Sequence, residues 1–192
     1  MVAIGTRSHS GGSLHDHLRC TARLLASWGC EDDVCFAGAC HSVYGTEAYP
    51  HATLDHADRA RLRALVGDET ERLAWLFGVH VRASLWPNFF DAPWPAEPSP
   101  AEPSPAEPSL VDRFTGREMR ITRRELLAML ALTAANWIEQ LPRVPDSMRS
   151  LGREELLGLA HLLPARARGD IERAYGVISG ASDGPGEPRS AG

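Results

Sequence analysis

The 192-residue sequence contains no lysine, and all twenty of its basic residues are arginine. That absence excludes several chemistries. A lysine Schiff base cannot form, so pyridoxal-phosphate catalysis and lysine aldolases are ruled out. A Walker A loop and a kinase ATP site each require a phosphate-binding lysine and are excluded as well. Cysteine is sparse: Cys20, Cys30, Cys35 and Cys40 show neither a C-x-x-C pair nor zinc-knuckle spacing. They read as small buried hydrophobes of a reduced protein. Basic charge is in deficit, with a formal net charge of -5, so no nucleic-acid partner is expected. Long apolar runs are missing too. The longest, 126–138, is interrupted by Thr133 and Asn136 and falls short of the roughly 20 residues that span a bilayer. The first residues lack the apolar core of a signal peptide. These features lead to the expectation of a cytoplasmic protein with no membrane partner.

What is present is globular composition, with 43% hydrophobic and 23% charged residues. A chain of this length can bury roughly 70% of its unfolded surface without disulfides or zinc. The clearest boundary is 93–109, where Ala-Glu-Pro-Ser-Pro repeats. Proline at that density, lacking backbone donors, prevents helix and sheet and leaves a polyproline-like insertion. The tail over 179–192, rich in Gly, Ser and Pro, reads as disordered. The remaining stretches, 1–92 and 110–178, are expected to form one helical bundle.

Helical periodicity runs through both stretches. Ser13 is placed to cap a helix over 14–28, with Asp16 in the capping-box position and Leu14, Leu18, Thr21, Leu25 and Trp28 as its apolar face. A second helix starts near Asp32 and carries Val34, Ala37, Gly38 and His41. A third, over 58–66, would turn Leu62, Leu65 and Val66 inward. A fourth from Asp68 aligns Leu73, Leu76, Phe77 and His80. Thr122-x-x-Glu125 is a capping box opening the strongest helix, whose stripe is Leu127, Leu130, Ala134, Trp137 and Leu141. Arg120-Ile-Thr-Arg-Arg124 reads as its solvated start. Shorter helices follow over 153–163 and 165–175, and no alternating strand of five or more residues is evident. The expected fold is all-α.

Eight histidines carry the candidate chemistry. Helical spacing puts His15 in solvent, His17 on or beside the buried face, and His41 after the small residues Ala37 and Gly38. Two inward imidazoles on adjacent helices are a plausible metal site, because neutral imidazole suits Zn, Fe and Mn.

The segment from His17-Leu18 through Ala37-Gly38-Ala39-Cys40-His41-Ser42-Val43-Tyr44 resembles the start of an HD-domain metal hydrolase. In layout it is most similar to the hydrolase half of the alarmone synthetase/hydrolase enzymes. Leu65 to Leu73 resembles the helix start that follows their His-Asp segment, and Ala134 to Glu139 sits where they carry their last metal-binding Asp. The resemblance covers about 9–80 and 120–141 and implies an HD-like helical bundle. It also implies departures. Ser42 and Asn136 stand at two Asp ligand positions, and Gly45 and Thr46 replace an acidic pair. Alarmone hydrolysis in the usual manner is therefore not expected. The chain also resembles uncharacterised bacterial proteins with a His-Ser-x-Tyr-Gly-Thr pattern, here His41 to Thr46.

The resulting candidate site has His17, His41, Tyr44 and Glu47 as catalytic residues and His9, His17 and His41 as metal ligands. His9 precedes Ser10-Gly11-Gly12, a loop able to fold over the pair. Thr46, Glu71, His80 and Asn136 are supporting candidates, with Asn136 able to orient an imidazole. Trp86, Phe89 and Phe90 (with Trp94) could form a lid over a pocket for a small molecule, a strap over the bundle, or a homodimer contact. Two functions follow. One is a small-molecule enzyme, a hydrolase or lyase or a non-haem iron oxidase, using Fe, Zn or Mn or no metal. The other is a non-catalytic ligand- or partner-binding bundle that has lost its metal ligands.

Overall fold

The computed structural model describes residues 8–9, 12–91 and 107–177, with side chains from Ser13 onward. Residues 92–106, which hold most of the Pro-rich segment expected over 93–109 together with Trp94, and residues from 178 onward, which include the tail expected over 179–192, lie outside the described residues. At the end of the Pro-rich segment Ser109 opens a short strand, where the proline density was expected to prevent sheet. The protein is mostly helical, with eight α-helices and four short strands among the described residues.

Helix α1 (Leu14–Trp28) starts where Ser13 Oγ accepts the Asp16 N–H at 3.0 Å, and it stops at Gly29. Its buried residues Leu14, His17, Leu18, Thr21, Leu25 and Trp28 recur at helical spacing. They face α2 (Asp32–Cys40) and α6 (Arg123–Gln140). The α1–α2 approach depends on Gly38, where a Cβ would stand 2.5 Å from Leu25 Cδ1 and 3.3 Å from Ala22 Cα. This close crossing brings His41, just beyond α2, beside His17.

Helix α6 is the central element. The expected capping box is present: Thr122 Oγ1 accepts the Glu125 N–H at 3.1 Å, and Glu125 Oε2 accepts the Thr122 N–H at 2.7 Å. It packs against α1, α2, α4 (Asp68–Val79) and α8 (Ala165–Ala174), so it is buried nearly all round. The expected narrow stripe is therefore corrected: Leu126, Met129 and Leu132 are as buried as Leu130, whereas Leu127 is only partly covered. The Arg120–Arg124 run is divided, with Arg120 closing a strand and Arg124 bonded to Glu31 and Asp33 at the start of α2.

Helix α3 (Arg59–Val66) lies on α4 through Leu62. Leu62 joins Tyr44, Leu54 and Ala74 in a second small core. Leu65, expected inward, is 76% exposed, because eight residues packed along one line offer few inward positions. A single-turn helix α5 (Pro87–Phe90) precedes the insertion, and α7 (Arg153–Leu159) precedes α8. Strands β1 (Ser8–His9) and β2 (Gly12–Ser13) pair just before α1. Strands β3 (Ser109–Val111) and β4 (Glu118–Arg120) form an antiparallel hairpin. The hairpin is fastened to the end of α4, where Val81 N–H meets Val111 O and Arg113 N–H meets Val79 O, each at 2.8 Å. No helix among the described residues is long and apolar enough to cross a membrane.

Candidate functional site

Three helices bring five side chains together: His17 from α1, His41 after α2, and Asn136, Glu139 and Gln140 from the last turns of α6. His17, His41 and Asn136 are all at most 3% exposed. The Nε2 atoms of His17 and His41 stand 3.3 Å apart, and Asn136 Oδ1 lies 3.1 Å from His17 Nε2. The opposite ring nitrogens are committed. His41 Nδ1 faces the Gly38 carbonyl at 2.8 Å, which can only accept, so this nitrogen carries the proton. His17 Nδ1 faces the Glu139 carboxylate and donates to it. Burial pushes Glu139 up, but hydrogen bonds from His17 and Arg143 outweigh it and the net shift is downward, keeping the carboxylate ionised.

The orientation of Asn136 follows from its neighbours. Gln140 Nε2 donates to the Asn136 backbone carbonyl at 3.1 Å and to Asn136 Oδ1 at 3.0 Å, so the amide presents its oxygen to His17. Three lone pairs therefore converge: two imidazole nitrogens and one amide oxygen. Their separation leaves room for a bridging group, and a metal ion is one that all three could ligate. The 3.3 Å separation is long for a hydrogen bond. It matches the roughly 3.3 Å edge between two imidazole nitrogens on a tetrahedral ion with bonds of about 2.0–2.1 Å. The donor set fits Zn or Fe, with Mn the weaker match for lack of a direct carboxylate.

His41, Ser42, Thr46, Arg82, Asn136 and Arg143 line a cleft of about 380 Å³ beside the pair. Ser42 Oγ and Asn136 Nδ2 are buried without a hydrogen-bond partner among the described residues. Unmatched buried polar atoms at a cleft await a polar ligand or water. Thr46 is held in a tight turn by the Tyr49 N–H at 3.0 Å to its Oγ1. Gly45 supports that turn at φ 70°, where a Cβ would meet Pro50 O at 2.9 Å.

Several expected site residues stand elsewhere. Glu71, expected as a supporting or surface carboxylate, is fully buried and closed off. It accepts from Arg59 at 2.6 and 2.7 Å, from Arg63 at 3.0 Å and from Tyr44 Oη at 2.8 Å. Burial raises Glu71, yet those donors shift it down overall. Tyr44 is accordingly committed to Glu71, and burial followed by that bond pushes its hydroxyl up, so it serves the second core and not the imidazole pair. Glu47 Oε2 accepts the Arg82 backbone N–H at 2.8 Å and bonds to neither imidazole. His80 donates from Nδ1 to the carbonyls of Leu76 at 3.0 Å and Phe77 at 3.1 Å. Burial, then the charge of Arg82, pushes His80 down to about 4. Of the aromatic trio, Phe89 is in the main core, Phe90 is 54% exposed, and Trp86 lines a pocket. The His9 side chain lies outside the described residues. Glu139, Gln140, Arg82 and Arg143 were not singled out by the sequence. The spacing of Asn136, Glu139 and Gln140, three and four residues apart on one helix, was the available signal.

The fold and site define a helical bundle with a buried imidazole pair at the wall of a polar cleft. Residues 2–82 match a family described as Domain of unknown function (DUF6817). That stretch carries His17 and His41, while Asn136 and Glu139 come from beyond it. No curated protein and no solved structure matches the chain.

Proposed function

We propose that this chain is a small-molecule enzyme of HD-like layout, acting in the reducing cytoplasm, with a divalent metal held by His17, His41 and Asn136. The observation that carries the reading is the convergence of three lone pairs, with both outward ring nitrogens already committed. The metal would supply a polarised water or an activated oxygen species at the cleft wall. The chain's own residues do the rest. Glu139 holds the Nδ1 proton of His17 and so fixes the tautomer that presents Nε2. Gln140 keeps the oxygen of Asn136 turned inward, while Ser42 Oγ and Asn136 Nδ2 offer hydrogen bonds to a substrate in the cleft. Arg143, bonded to Glu139, links the cleft rim to the His17 carboxylate partner.

A second reading is a non-catalytic bundle in which His17, His41 and Asn136 bond to one another directly. It is favoured by the lack, among the described residues, of any group of three His, Cys, Asp or Glu able to hold a metal. Ser42 and Asn136 at the two expected Asp positions point the same way. The two readings separate on turnover. Protein loaded with Zn, Mn or Fe(II) is assayed for phosphoester and ester hydrolysis, and for oxygen uptake with Fe(II). Turnover that disappears in His17→Ala and His41→Ala supports the enzyme. Metal-loaded protein inert in every assay supports the binding bundle.

A further inference from the structure

Next to the imidazole cleft is a second, smaller cavity of about 230 Å³, whose walls include Phe77, His80, Arg82, Trp86, Thr133 and Glu155. Arg82 and Trp137 border both cavities. Drug-sized and nucleotide-sized ligands occupy about 300–1,000 Å³, so this pouch suits something smaller.

Its polar groups have an uncommon distribution. The Arg82 guanidinium makes no hydrogen bond or close ion pair among the described residues, although the Glu47 carboxylate acts on its charge from nearby. Its backbone N–H is what engages Glu47, and its cation lies 5.9 Å from the Phe77 ring centre. Glu155 has no ion-pair partner among the described residues either, and the two do not pair with each other. Thr133 Oγ1 is buried without a hydrogen-bond partner. His80 is 2% exposed, and because its Nδ1–H is committed to helix carbonyls, its Nε2 presents a lone pair. One cation, one anion, two further acceptors and the unpartnered indole N–H of Trp137 therefore border an aromatic pouch of small volume. A simple anion would suit Arg82 but be repelled by Glu155, and a simple amine would meet the reverse.

We propose that this pouch binds a free α-amino acid with an apolar or aromatic side chain, its carboxylate on Arg82 and its ammonium on Glu155. Thr133 Oγ1 and His80 Nε2 are additional acceptors for the ammonium protons. The side chain lies among Trp86, Trp137 and Leu156. Arg82 suits the carboxylate because its planar fork can donate two parallel hydrogen bonds. The site stands independently of any metal at the imidazole pair.

The test is calorimetric titration of the full chain with L-phenylalanine and L-leucine, then with N-acetyl-L-phenylalanine and L-phenylalaninamide. Each derivative cancels one charge of the zwitterion. Loss of one charge-assisted contact is expected to weaken binding about tenfold or more. Arg82→Gln should weaken phenylalanine by that factor and leave the amide unaffected. Glu155→Gln should weaken phenylalanine and leave the N-acetyl compound unaffected. Circular dichroism checks that both variants fold. No binding of either amino acid overturns the proposal. So does N-acetylphenylalanine binding as tightly as phenylalanine, or affinity unchanged in both variants. Because the readout is binding, an inert or metal-free imidazole pair leaves this result interpretable on its own.

Discussion

Replacing Glu71 by Gln keeps the side-chain shape and removes one anionic acceptor from a closed network. Glu71 accepts two hydrogen bonds from Arg59, one from Arg63 and one from Tyr44. In the variant an amide NH₂ would face guanidinium donors, and Arg59 would lose its counter-charge. Removing one member of a buried ion pair costs about 3–5 kcal/mol. The Arg59 side chain is 22% exposed and that of Arg63 is 43% exposed, so solvent stabilises part of the released charge. The expected loss is therefore at the lower end, about 3 kcal/mol. At about 2–4 °C per kcal/mol for a chain of this size, Tm should fall by about 6–12 °C. Urea denaturation and thermal melting, both followed by circular dichroism, measure this. Metal content should stay at the wild-type level in the folded variant, since Glu71 does not touch the imidazole pair. A loss below about 1 kcal/mol would refute the network argument. Stability intact with metal lost would return Glu71 to the site.

Two further outcomes follow from the buried histidines. His80 titrates near 4 when folded but near 6.5 when unfolded. The unfolded chain therefore takes up the proton first, and its contribution is complete above about pH 6.5 and lost as pH falls toward 4. His80 by itself should make the chain about 2–3 kcal/mol less stable at pH 4.5 than at pH 7 in urea denaturation. His80→Phe should remove that part of the slope, leaving the part due to the depressed carboxyls of Glu71 and Glu139; a flat wild-type profile would count against a buried neutral His80. Glu139→Gln should remain folded yet bind metal about 10–100-fold more weakly, as read by competition with a chromophoric chelator. Equal affinity would mean that Glu139 does not orient His17.

The helices whose ends carry local chemistry were legible in the sequence. Ser13 with Asp16 and Gly29 bounded α1, and Thr122 with Glu125 opened α6, because capping is decided within four residues. The imidazole pair was legible too, through the apolar spacing around His17 and the small residues before His41. Positions decided by distant partners were not. Glu71 looked like a surface or site carboxylate because Arg59 and Arg63 reach it only after α3 folds onto α4, and Tyr44 only when the chain after α2 packs there. Leu65 shared the apolar pattern of α3 but is left uncovered, and the stripe of α6 was drawn too narrow because four helices surround it. Glu139 passed unnoticed because its partner His17 is 122 residues away.

The central claim is that His17 Nε2, His41 Nε2 and Asn136 Oδ1 hold a divalent ion. Elemental analysis of untagged protein, after equilibration with Zn, Fe(II) or Mn and removal of free ion, tests it most directly. The account predicts close to one ion per chain in the wild type and loss of that ion in His17→Ala and His41→Ala variants that still fold. Wild-type protein free of metal under every loading, with variants that lose only stability, would contradict it.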